Sequence, residues 1–137
     1  MIKLIVGSKG SGKTKTLIDM INTATKTTAG NIVVIEKSMK LTTEINHAAR
    51  LLDVDEYKIS GAEMLYGFVA GVLAGNYDIT HVFVDNFYKL VEDKSPESFD
   101  AFIAWLDTFS EAEKIEFVIS VSADAATASE SVKKHFI

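Results

Sequence analysis

Gly7-Ser8-Lys9-Gly10-Ser11-Gly12-Lys13-Thr14 is the stretch on which the rest of the chain turns. Its three glycines let the backbone bend sharply and approach a ligand with no Cβ in the way. Successive N–H groups in such a bend point inward and form a concave site for an anion. A helix beginning at the end of the loop aims its positive dipole end at the same point. Lys13 adds a mobile positive charge suited to the outer phosphates of a polyphosphate, and the Thr14 hydroxyl is placed to ligate Mg²⁺.

The spacing is G-x-x-x-x-G-K-[ST], the P-loop or Walker A pattern. Its context supports that reading. Ile2 to Val6 precede the loop as a short buried strand. Leu17, Ile18, Ile21 and Ala24 follow it at helical spacing over 13–25. The expected nucleotide-binding set is Gly7, Ser8, Lys9, Gly10, Ser11, Gly12, Lys13, Thr14 and Lys15.

At 137 residues the chain predicts one domain over 1–137, large enough to bury a core unaided. It has no cysteine, which excludes disulfides and thiolate metal sites. His47, His81 and His135 are too dispersed to form a metal-ligand spacing. A net charge of −5 with Arg50 as the lone arginine argues against a broad nucleic-acid surface. The apolar run Leu4-Ile5-Val6 is too short for a signal peptide. The longest apolar stretch, Met64 to Ala74, is too short to span a bilayer and contains two glycines. A cytoplasmic location with no membrane association is therefore expected.

Asn31-Ile32-Val33-Val34-Ile35-Glu36 reads as a second strand, buried on both faces as in a parallel sheet. Leu41, Ile45, Ala48 and Leu52 form an apolar stripe that predicts a helix over 40–52, with Ser38 as its cap. Asp53 to Glu56 reads as a solvated acidic turn rather than a cation loop, and 57–60 as a short strand. Residues 61–75 predict the most apolar helix. Gly67, Gly71 and Gly75 fall on one line of it, either packed closely within the molecule, the favoured reading, or used as a subunit contact. Val82-Phe83-Val84-Asp85 is a strand ending in an acid, the Walker B form. Ser95-Pro96-Glu97 opens another helix, with Phe99, Phe102, Ile103, Trp105, Leu106 and Phe109 expected on its inner face. Residues 115–121 read as a buried strand and 125–136 as a last helix. This alternation predicts an α/β fold: a mostly parallel sheet of about five strands between two helical layers.

In such a sheet the C-terminal strand ends share one edge, where ligands bind. Lys13, Glu36, Asp85 and Ser120 or Ser122 would meet there. A carboxylate ending a buried strand is costly unless it faces a cation, so Asp85 is expected to support Mg²⁺ with Thr14. Asp85 is followed by Asn86, so a carboxylate that activates water must come from elsewhere. Glu36 lies at the correct edge, and its alternative is an exposed strand-end side chain.

The glycine-rich loop, Ile32 to Glu36 and Val82 to Asn86 together resemble the core of RecA-like ATPases, which include recombinases and hexameric helicases. The resemblance implies a three-layer α/β/α P-loop NTPase fold, ATP and Mg²⁺ as ligands, and a catalytic set of Lys13, Glu36 and Asp85. It also likens Phe117 to Ser122 to the sensor strand of that group. No arginine is placed as a finger, and no N-K-x-D guanine motif is present. Slow turnover and adenine by default follow.

Three functions fit these residues: slow Mg²⁺-dependent ATP hydrolysis, a non-hydrolysing nucleotide-dependent switch, or a small nucleoside or nucleotide kinase. A weaker likeness to thymidine-kinase-like enzymes would set Asp124 beside an acceptor. A homo-oligomer or a protein partner accompanies the switch reading.

Overall fold

The computed structural model describes residues 1–123 and 128–137. The chain order is β1 (Ile2–Gly7), α1 (Lys13–Thr27), β2 (Asn31–Glu36), β3 (Ala49–Asp53), α2 (Ala62–Ala74), β4 (Ile79–Val84), α3 (Phe87–Leu90), α4 (Pro96–Glu113), β5 (Glu116–Ser122) and α5 (Glu130–Lys133). The five strands form one parallel sheet in the order β1-β5-β4-β2-β3. Helices cover both of its faces, so the molecule is a three-layer α/β/α protein.

The strands are apolar on both sides because both sides are covered. Ile32 and Val34 of β2 face α1, where Leu17, Ile21 and Ala24 pack with Ile5, Phe83 and Val118. Val33 and Ile35 face the other way, into a larger cluster with Leu65, Val69 and Leu73 of α2 and Phe99, Phe102 and Leu106 of α4. Helix α4 starts as its residues dictate: Ser95 Oγ accepts the Ser98 N–H at 3.2 Å, and Pro96 occupies the first turn. At the N-terminal end of the sheet, Glu116 of β5 pairs with Lys3 of β1 at 2.8 Å and with His81 of β4 at 3.1 Å. Beyond β1, the Leu4 N–H donates to the His135 carbonyl and the Ile137 N–H to the Leu4 carbonyl. The last residues thus run alongside the β1 edge.

Register sets the opposite end. Ile35 pairs with Val84, and Val84 with Ile119. The next residues along, Glu36, Asp85 and Ser120, therefore stand level on three adjacent strands. Gly7 pairs with Ser122, so the glycine-rich loop leaves the sheet at the same edge.

Several expectations are corrected. Residues 40–52 are not a helix: 39–48 is a series of turns and Ala49–Asp53 is the edge strand. The apolar stripe is real but divided. Leu41 and Ile45 pack on the α1 side, and Leu52 on the other. Helix α1 competes for the backbone here, since the Asn22 side chain bonds the Glu44 carbonyl at 3.0 Å and the Asn46 N–H at 2.8 Å. Asn46 also accepts the Ala48 N–H through its own side chain, a local turn that excludes helix. Ser38 caps no helix. The strand expected at 57–60 is a turn, closed by Ile59 N–H on the Val54 carbonyl, with Lys58 at φ 60°.

The glycine line of α2 is not packed within the molecule. Gly67, Gly71 and Gly75 are exposed. A Cβ on Gly67 or Gly71 would meet nothing within 4 Å. Leu65, Val69 and Leu73 already supply the buried line. Trp105 lies at the rim, 37% exposed, against Tyr66 at 5.3 Å between ring centres. The last helix is shorter than expected, Glu130–Lys133, and part of its expected span lies outside the described residues. Among the described residues no helix is long and apolar enough to cross a membrane.

Candidate functional site

Strand β1 delivers the chain into the loop, and α1 takes it out. Gly10 and Gly12 hold φ of 84° and 87°. A Cβ on either would meet nothing within 4 Å, so conformation and not crowding calls for glycine there. An L side chain in that region costs roughly 1–2 kcal/mol. The Ser11 N–H donates to the Ser8 carbonyl at 3.2 Å, closing the bend. The first helical bond runs from the Thr16 N–H to the Gly12 carbonyl at 3.1 Å. The amides of Lys13, Thr14 and Lys15 precede it and lie outside the helical ladder.

Lys13 is 7% exposed. Its ammonium folds back over the loop, donating to the Ser8 carbonyl at 2.6 Å and to Ser11 Oγ at 3.4 Å. Buried ammonium groups need such partners, and these hold the charge at the centre of the bend. The loop opens on a cleft of about 380 Å³ lined by Lys9, Gly10, Gly12, Lys13, Thr14 and Lys15. Its far wall is Asn86, Lys89, Ser120 and Ser122.

Asp85 is fixed from the neighbouring strand. Ser120 Oγ donates to Asp85 Oδ1 at 3.0 Å and accepts the Asn86 N–H at 2.7 Å. One hydroxyl thereby orients both the carboxylate and the turn after it. Asn86 at φ 59° starts α3 and turns Phe87 into the core against Phe99 and Phe102, at 4.9 and 5.0 Å between ring centres. Asp85 lines a second cavity of about 270 Å³ with Lys37, Ser38, Lys40 and Lys89. Lys89 lines both cavities.

Glu36 is enclosed, 1% exposed, and lines neither cavity. Its Oε1 accepts the Leu41 N–H at 2.9 Å, while Oε2 is buried without a hydrogen-bond partner. Burial pushes its pKa up, against the lowering effect of the Leu41 hydrogen bond. The charges of Asp85 and Asp53 push it further up, and Lys40 opposes them. A carboxyl in that state is suited to taking a proton, provided the 37–41 turn lets it reach one.

The structure brings Lys13, Thr14 and Ser120 to one cleft and Asp85 to its neighbour, with Glu36 enclosed one strand further on. Asp124 lies outside the described residues. Thr14 and Asp85 offer oxygen donors, the type that Mg²⁺ takes, usually with phosphate oxygens and water completing the shell. Among the described residues no group of three or more His, Cys, Asp or Glu is placed to hold a metal by itself. Sequence reasoning missed Lys37, Lys40 and Lys89. Their signal was position, since Lys37 and Lys40 lie within four residues of the end of β2 and Lys89 within four of Asp85. No protein-family model matches the chain, and a search of curated proteins found no match.

Proposed function

We propose that the chain binds a nucleoside triphosphate, ATP by default, at the Gly7–Lys15 loop and hydrolyses it slowly with Mg²⁺. The observation that carries this reading is the loop itself: two left-handed glycines turn its amides, a 15-residue helix starts beneath them, and a buried lysine folds over them. That combination suits a polyphosphate and few other ligands. In this reading the amides and Lys13 hold the phosphates. Thr14 and Asp85 would hold Mg²⁺, which would neutralise phosphate charge when bound. Glu36 is the carboxyl available to orient water once it leaves the Leu41 amide.

The chain supplies no arginine near the cleft, so turnover is expected to be on the order of 10⁻⁴ to 10⁻² s⁻¹. Release of inorganic phosphate from ATP tests this. Lys13→Ala should abolish it, and Glu36→Gln should lower it by roughly 10²-fold or more. Equal release by Glu36→Gln and the unsubstituted chain removes Glu36 from the mechanism.

A second reading, a nucleotide-dependent switch or assembly protein, draws on the uncovered face of α2. Met64 is exposed there beside the open glycine line, and Tyr57 packs on Phe68 at its margin. Such a face suits a homo-oligomer or a protein partner.

A further inference from the structure

The chain carries 19 Asp and Glu against 14 Lys and Arg, yet two cavities at the edge beyond the strand ends are lined by more lysines than carboxylates. Lys9, Lys13, Lys15 and Lys89 line the loop cleft, and Lys37, Lys40 and Lys89 line the cavity beside it. Asp85 is the one carboxylate on either lining among the described residues. The loop cleft has its ligand in the reading above; the second cavity has Mg²⁺ at its Asp85 margin in that reading, but nothing for its lysines. Three lysines against the single Asp85 carboxylate line about 270 Å³, an excess of positive charge that a bound anion would offset.

The backbone that presents them is strained. Ser38 and Met39 hold φ of 72° and 56°, and Asn86 59°; these are three of the five non-glycine residues with positive φ in the described chain. Consecutive left-handed residues without glycine persist only where their surroundings over-determine them. Here the acidic turn does so. Asp53 Oδ1 accepts the Ser38 N–H at 2.9 Å, Asp55 Oδ2 accepts the Ser38 hydroxyl at 3.3 Å, and the Leu41 N–H is bound to Glu36. The turn is thus clamped at its base, with Lys37 and Lys40 on either side of the strained pair. Lys37 meets Asp55 only at 4.0 Å.

We propose that this cavity is a second anion site, specific for a phosphate-type oxyanion, beside the outer phosphate of the nucleotide. Lys37 and Lys40 supply its charge from one wall and Lys89 from the wall shared with the loop cleft. The occupant is either the phosphate released from the nucleotide or the phosphate of a second small molecule; both present the same oxygens. The proposal rests on the nucleotide reading for its placement, though not for its chemistry.

The test is a calorimetric titration of inorganic phosphate into protein saturated with Mg²⁺ and a non-hydrolysable ATP analogue at low salt. With the loop occupied, a single phosphate should still bind. Lys37→Ala with Lys40→Ala should weaken it roughly tenfold or more and leave the affinity for the analogue unchanged. No phosphate binding, or binding indifferent to the two substitutions, overturns the proposal and leaves the nucleotide reading intact. Failure of the analogue to bind overturns the nucleotide reading instead; phosphate titrated into the free protein then decides the cavity by the same two substitutions. A sugar phosphate or nucleoside monophosphate that binds more tightly than inorganic phosphate assigns the site to a second substrate. The reverse order assigns it to the released phosphate.

Discussion

Glu36 and Lys13 are both enclosed charged side chains, but they are satisfied differently. Lys13 has two oxygen partners. Glu36 has one amide for two oxygens, with Asp85 level with it on the next strand. Its raised pKa has a consequence for stability. A carboxyl held above its ordinary value of 4.5 favours the fold while protonated. That contribution is complete below about pH 4.5 and is lost as pH rises through the raised value, where the folded state must hold a buried anion. Glu36→Gln removes the dependence. Urea midpoints of the variant should gain on those of the unsubstituted chain as pH rises from 4 to 8, with the gap closing at the acid end. A gap that stays constant with pH contradicts the account of Glu36 as an under-satisfied buried acid.

At the scale of elements, what was legible in the sequence was whatever one period could explain. β2 is an unbroken β-branched run, and α4 carries cap, proline and acid in order, so both stand where expected. The stripe Leu41, Ile45, Leu52 misleads because it also has helical spacing. Its residues serve two faces of the sheet, and the deciding bonds come from Asn22 on another element. Long-range side-chain bonds of that kind leave no local trace. In the site, the loop and Asp85 were readable as motifs; the enclosure of Glu36 and the lysine-lined cavity depend on the 37–41 turn and were not. Helix α2 shows the same limit: its glycines could face inward or outward, and only the packing of Leu65, Val69 and Leu73 decides. The open face yields a prediction for the switch reading. Sedimentation should show a larger species when ATP and Mg²⁺ are added, and Met64→Lys, on that face, should abolish the change. A mass that is the same with and without nucleotide contradicts the switch reading.

At the scale of the whole molecule, the parallel sheet gathers the functional candidates by geometry alone. With every strand running the same way, Gly7, Glu36, Asp85 and Ser122 emerge at one edge, although 115 residues separate the first from the last in sequence. At the other end Lys3, Glu116 and His81 pair across β1, β5 and β4. An overall negative charge keeps anions off the general surface, and the lysine-rich linings of the two cavities at this edge are an exception. In the reading proposed above, the loop holds a triphosphate there. Isothermal titration of ATP with Mg²⁺ into the full chain tests it most directly. Saturable heat at one site per chain, lost in Lys13→Ala, is the expected result; no heat from the unsubstituted chain at millimolar ATP, or the same heat from Lys13→Ala, would contradict it.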